Sequence, residues 1–318
     1  MPGLYPLLLR PEFVERPWGA RELSPIYPGY PCEKPVGEVW LTGDENRVVN
    51  GPLAGRTLGD LCREYGRELV GDSARETGRF PLLIKFLFPR EKLSVQVHPD
   101  DETAQRAGLP CGKTECWYVL AADAGAQIAL GLKAGVTREQ LARGIRQIRA
   151  EELLNWVEIH AGEMIYVDAG TVHTIGPGSI LVETQQNSDT TYRLYDYGRP
   201  REIHVDQGLA ATKERTRAGK VVRPEGAATL VGSPCFTVEK FRFKETRCFE
   251  AAHSPQIFVA LEGCGAAESK DSPAVTFARG EVVVIPPAMQ ARIQPQWDLE
   301  TLRMILPAGR VAEPETML

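Results

Sequence analysis

The sequence predicts a mainly β chain built as two related β-barrels with a few flanking helices. Three observations carry that expectation. Short β-branched or aromatic runs recur between turn residues, and the 318 residues include 30 glycines and 24 prolines. The block 162–170 (GEMIYVDAG) has a counterpart in 280–288 (GEVVVIPPA): each reads Gly-Glu, short apolar strand, small turn residues. The length suits about two domains at roughly 150 residues each.

In chain order, residues 57–69 space Leu58, Leu61, Tyr65 and Leu69 along one helical face. Residues 80–88 (FPLLIKFLF) form an apolar strand with one lysine, Lys85, inside it. Residues 93–98 (LSVQVH) alternate with period two, and 116–120, 126–130, 164–167 and 179–183 read as further short strands. Thr137 opens T-R-E-Q, a capping box, and Leu141, Ile145 and Ile148 extend a helical stripe behind it. Residues 150–156 are predicted as another short helix. The basic, polar stretch 212–225 reads as a boundary, dividing the chain into 1–211 and 212–318. A second β-rich block, 236–306, follows. Continuing the repeat without gaps sets Ala291 opposite His173, so the C-terminal barrel is expected to be degenerate and without metal ligands.

Charge and composition exclude several classes. Lys and Arg total 37 against 42 Asp and Glu, a formal net charge of −5, and the pI is near 5.7. That balance argues against sequence-independent nucleic-acid binding, which needs clustered positive charge. No apolar run approaches the roughly 20 residues that span a bilayer, and no charged segment precedes the apolar patch Leu7, Leu8, Leu9. Seven cysteines are scattered without C-x-x-C spacing and read as reduced thiols. A cytoplasmic protein that binds neither membrane nor nucleic acid is expected.

The five histidines make their contexts informative. Gln96 and His98 lie two apart on an alternating strand and share a face, opposite Val95 and Val97. Lys113 and Glu115 share a face in GKTECWY in the same way. His173 follows strand 164–167 across a small-residue turn. Imidazole nitrogen, carboxylate oxygen and amide oxygen together suit a divalent metal, commonly zinc, with a position left open for substrate. His160, His204 and His253 have no comparable neighbours and are expected to be structural or on the surface. Residues 183–196 (ETQQNSDTTYRLYD) pass from an apolar strand into a dense polar run, where Tyr192 and Tyr195 flank Arg193. A partly buried arginine needs an anionic partner.

The blocks LSVQVHPDD, GKTECWY, AGTVH and TYRLYD, with RPWG and GEVW before them, stand in the order of the type I phosphomannose isomerases, and the chain resembles the short bacterial form of that family. The resemblance implies cupin-type, jelly-roll-like barrels and a zinc-dependent aldose–ketose isomerase acting on a sugar phosphate, mannose 6-phosphate and fructose 6-phosphate. It implies one Zn2+ held by His98, Glu115 and His173, with Gln96 as fourth ligand. Arg193 matches the family's catalytic arginine, and Lys113 and Lys85 match active-site lysines. Glu183 and Asp189 match acidic residues near the arginine and are the candidates for proton transfer. Arg193 and Lys113 are expected to stabilise the enediolate or hold the phosphate, with Lys85 as a further substrate-binding group. One departure stands out: Gly112 occupies the place where long family members carry a histidine. A non-catalytic sugar-binding or regulatory cupin is the alternative. It would keep the pocket and lack the proton-transfer groups.

Overall fold

The structure is a computed structural model describing residues 2–73, 78–270 and 272–318. Strands dominate, in three sheets. The first has eight strands, in the order Glu12–Ala20, Val36–Trp40, Leu82–Leu87, Ser179–Gln186, Glu115–Ala122, Met164–Val167, Gly219–Val221 and Thr316–Met317. Facing it is a five-stranded sheet, ordered Tyr192–Tyr195, Val95–Val97, His173–Ile175, Gln127–Leu132 and Leu154–Glu158. The two sheets make the N-terminal jelly-roll-like sandwich.

Side-chain alternation explains how the larger sheet is buried on both faces. Trp117, Val119, Ile165 and Val167 point inward and pack with Ile128, Leu130 and Ile175 of the smaller sheet. Cys116, Tyr118, Met164 and Tyr166 point the other way, into a core shared with Val238, Ile257 and Leu302 of the C-terminal block. Full burial of such apolar side chains stabilises by about 1.5–3 kcal/mol each.

The third sheet also has eight strands and folds over Phe241, Phe243, Phe249, Phe258 and Phe277. Its long strands are Gln256–Glu268 and Ala291–Ile305. The first strand of the chain, Leu7–Leu9, pairs here with Val282–Val284. The repeat is visible in three dimensions. Gly162 (φ 89°) and Gly280 (φ 86°) each turn into a short strand, and His173 and Ala291 each open the next.

Helices cover the edges and outer faces. Thr57 caps Leu58–Tyr65, and Gly66 separates it from Arg67–Val70. Arg138–Arg146 carries the full Thr137/Gln140 capping box and sets Leu141 against Val95 and Val97. Two expectations need correction. The helix ends at Arg146, and Ile148 is 69% exposed with φ 58°. The Arg149 N–H donates to the Gly144 carbonyl and the Ile148 N–H to that of Ile145, so Ile148 fills the left-handed position of a Schellman cap. Residues 150–156 are helical only over Ala150–Leu153, as a 3-10 turn; Leu154–Glu158 is a strand pairing Trp156 with Ala129. Trp156 and Val157 are good strand formers, and an available sheet edge wins over weak local helix preference.

Candidate functional site

Polar residues interrupt the apolar alternation on the inner faces of both N-terminal sheets, and they meet in one cavity. Register places them. On the larger sheet Lys85 lies opposite Glu183, and Glu183 opposite Trp117. On the smaller sheet Arg193 lies opposite Gln96, and Gln96 opposite His173. His98 follows the Val95–Val97 strand, where its carbonyl accepts from Gly170 at 2.8 Å.

His98, Glu115 and His173 are all buried, and their donor atoms lie within 4.8 Å of one another. No other such cluster of His, Cys, Asp or Glu occurs among the described residues. His173 Nε2 stands 3.3 Å from Glu115 Oε1, and His98 Nε2 stands 3.6 Å from Glu115 Oε2. Each imidazole is oriented from behind. His98 Nδ1 donates to the Thr190 carbonyl at 2.8 Å and His173 Nδ1 to the Thr171 carbonyl at 3.0 Å. That fixes the tautomer and turns both Nε2 lone pairs inward, as a metal requires. Burial keeps both rings neutral, holding His173 down to about 4 and His98 well below its usual value. Glu115 Oε1 is buried and accepts no hydrogen bond. An orphaned carboxylate oxygen beside two aimed imidazoles fits a divalent cation. Gln96 is the neighbour of this set, with Nε2 3.2 Å from His173 Nε2.

The Lys113 ammonium sits against the same donors. It donates to Glu115 Oε2 at 2.5 Å, His98 Nε2 at 3.0 Å and Glu183 Oε1 at 3.4 Å. Gly112 makes this approach possible. A Cβ there would lie 2.6 Å from the Asp100 carbonyl carbon, and Lys113 N donates to the Pro99 carbonyl at 3.0 Å. The segment carrying Lys113 is thus pressed onto the residues that follow His98, and no side chain fits at 112 on this backbone.

Glu183 is the other centre of charge. Lys85 lies 3.2 Å from its Oε2, and Trp117 Nε1 donates to Oε1 at 3.4 Å. Burial alone would raise its pKa, but Lys113 and Lys85 outweigh it and hold the carboxyl well below its usual value. Glu115 behaves oppositely: burial dominates over Lys113 and pushes it up to about 8. Asp189 lines the same cavity from an exposed rim. Every site residue singled out in the sequence other than His98 and His173 also lines the cavity, and those two stand behind it in contact with Glu115.

Lining residues not named as candidates for the chemistry include Arg16, Trp18, Glu38 and Arg201. Glu38 accepts from Arg16 Nε at 3.0 Å and Trp40 Nε1 at 2.6 Å, with Lys85 3.7 Å away. The RPWG and GEVW blocks hold three of these residues and were the available signal. Of the remaining histidines, His160 is exposed, His204 receives the Arg193 N–H at 3.4 Å, and His253 is a partly buried residue distant from the cavity lining.

The chain is also similar to known proteins. Residues 8–123 match the model of the phosphomannose isomerase type I catalytic domain. The chain is 35% identical to the mannose-6-phosphate isomerase ManA of Bacillus subtilis over 88% of its own length and 93% of that protein. It is 39% identical to a mannose-6-phosphate isomerase of Streptococcus mutans over 74% of its length and 78% of that protein. The crystal structure of a Bacillus subtilis mannose 6-phosphate isomerase superposes with TM-score 0.82 at 30% identity, covering 95% of this chain and 99% of that one.

Proposed function

The chain belongs to the type I phosphomannose isomerase family, and from that membership we propose how its cavity interconverts mannose 6-phosphate and fructose 6-phosphate. The observation that carries the reading is the meeting, in one cavity, of a three-residue donor set with Lys113, Lys85, Glu183 and Arg193.

His98, Glu115 and His173 would hold Zn2+. Gln96 completes the set through Oε1 if its amide turns over; Ser94 Oγ, now donating to Oε1 at 2.9 Å, then accepts from Nε2. Bound zinc supplies Lewis-acid polarisation of a sugar oxygen. The proton chemistry falls to the chain. Isomerisation takes the proton from C2, whose electron pair becomes the C1=C2 bond of an enediol while the C1 carbonyl oxygen takes up a proton; the C2 hydroxyl then gives up its proton as it becomes the carbonyl, and a proton returns at C1. Glu183 is the carboxylate placed to carry that proton: it is ionised at neutral pH and lies inside the cavity. Its two ammonium neighbours make it a weaker base. The same cations, with Arg193, lower the cost of the enediolate oxygens, and the dry surroundings strengthen that effect. Trp18, Leu87, Trp117 and Ile175 line the cavity and exclude water from the intermediate.

The test is conversion of mannose 6-phosphate to fructose 6-phosphate by the purified protein and by Lys113→Ala. The native protein is expected to turn over, and the variant to lose most of kcat. Folded, metal-loaded native protein that binds the sugar phosphate without converting it would instead be a sugar-binding cupin.

A further inference from the structure

We propose that Arg16 and Arg201 form the subsite for the substrate's 6-phosphate, at the outer end of the cavity. The proposal rests on the isomerase reading and adds the residues that tell a phosphorylated sugar from a free one.

The inner cations are already engaged. The Lys113 and Lys85 side chains are each 4% exposed and lie among Glu115, Glu183 and Glu38. A phosphate dianion at either would sit against carboxylates. Arg193 lies beside Gln96 in register, at the level of the metal donors. Arg16 and Arg201 stand elsewhere. Arg16 comes from Glu12–Ala20, the edge strand of the eight-stranded sheet; Arg201 follows Tyr192–Tyr195, the edge strand of the five-stranded sheet. Both line the cavity, one from each sheet, and both lie close enough to Arg193 to repel its charge.

Each is preset by a carboxylate. Arg16 gives Nε and Nη2 to Glu38 at 3.0 and 3.1 Å. Arg201 gives Nε and Nη2 to Asp196 at 2.6 and 2.7 Å. A guanidinium has five N–H donors, so donors remain for a ligand. Neither charge is cancelled outright, because Glu38 also faces Lys85 at 3.7 Å and Asp196 also accepts from Arg199 at 3.1 Å. The side chains are 27% and 22% exposed, within reach of an entering substrate. Burial holds Arg193 below its usual basicity, and repulsion from Arg201 and Arg16 adds to this. Arg193 Nε is buried and donates to nothing. An anion among the three guanidiniums relieves that repulsion, and a planar fork matches phosphate oxygens two at a time.

The experiment measures kcat and KM for mannose 6-phosphate, and the inhibition constant of inorganic phosphate, in the native enzyme, Arg16→Gln, Arg201→Gln and Arg201→Lys. The glutamine variants leave Asp196 with Arg199, and Glu38 with Lys85 and Trp40, so no carboxylate is stranded. KM is expected to rise at least tenfold in each glutamine variant, the phosphate inhibition constant to rise in parallel, and kcat to fall by a smaller factor. Arg201→Lys should recover part of the loss. If KM and the phosphate constant stay within twofold of native in Arg201→Gln, or kcat alone falls, the subsite is elsewhere. Calorimetric binding of inorganic phosphate to the same four proteins keeps the test separate from the isomerase reading. Native protein that fails to convert mannose 6-phosphate contradicts that reading, whereas unchanged phosphate binding in the variants contradicts the arginine subsite.

Discussion

Glu115 Oε2 takes the Lys113 ammonium while Oε1, equally buried, accepts nothing. A carboxylate so placed destabilises the metal-free fold and binds a cation strongly, since burial opposes its charge. Glu115→Gln is therefore expected to lower metal affinity at least tenfold while leaving the metal-free protein as stable as native or more so. Metal analysis and thermal unfolding of the stripped protein check the two halves. Glu183→Gln is expected to cost about 10²–10⁴ in kcat, the range for a positioned acid–base group, and Asp189→Asn, at the exposed rim, distinctly less. Steady-state kinetics of the pair would reverse the assignment if Asp189→Asn were the worse variant. At this scale the sequence was informative where spacing is local. Gln96 and His98, or Lys113 and Glu115, share a face because they are two apart on extended chain. Arg16, Glu38 and Arg201 were passed over because they reach the cavity only through tertiary packing, and segments brought together from far apart in sequence leave no periodicity to read.

Among elements, the short segment at Gly112 does most to shape the site. Gly112→Ala would drive a Cβ into the Pro99–Asp101 backbone, shift Lys113 off His98 and Glu115, and is expected to reduce kcat at least tenfold with bound metal retained. An unaltered kcat would show that Lys113 tolerates displacement. The Thr137 cap offers the contrasting case: Thr137→Ala removes its bond to the Gln140 N–H and should cost about 1 kcal/mol of stability without affecting turnover. That helix start was legible because a capping box is local chemistry. Its end was misjudged at Ile148, because the left-handed cap there falls to isoleucine in place of the usual glycine. Residues 150–156 misled for a different reason: whether a short apolar segment becomes helix or strand depends on the free edge of Gln127–Leu132, which is tertiary information.

Across the whole molecule, the candidate site lies in one sandwich, and Ala291 opens the strand in the second copy of the repeat that His173 opens in the first. The short Gly-Glu motif was the sequence trace behind the expectation of two related halves. The exchange of Leu7–Leu9 into the C-terminal sheet, and of Gly219–Val221 and Thr316–Met317 into the N-terminal one, left no such trace. The buried charges make a pH signature for the entire fold. His173 takes a proton near 6.5 when unfolded and near 4 when folded, so its contribution is present above pH 6.5 and is lost as pH falls toward 4. Glu38 and Glu183 are both held below 4.5, and for each, burial is outweighed by the neighbouring cations. Their contribution is present above pH 4.5 and disappears below it. Glu115, held up to about 8, contributes in the opposite sense, its stabilisation growing as pH falls from 8 toward 4.5. Metal-free protein is thus expected to be most stable near pH 6.5, to weaken gradually below it where His98 and His173 together outweigh Glu115, and to weaken more steeply below 4.5, with Lys85→Met flattening that last limb. Denaturant unfolding across pH 3–8 measures both.

The cavity between the two N-terminal sheets is read as a metal-dependent isomerase site. Fructose 6-phosphate formation from mannose 6-phosphate, followed before chelation, after chelation and after zinc re-addition, with metal content measured at each stage, tests that reading most directly. Loss of turnover as metal leaves, and its return with about one zinc per chain, is the predicted result. Full turnover by protein shown to be metal-free would contradict it.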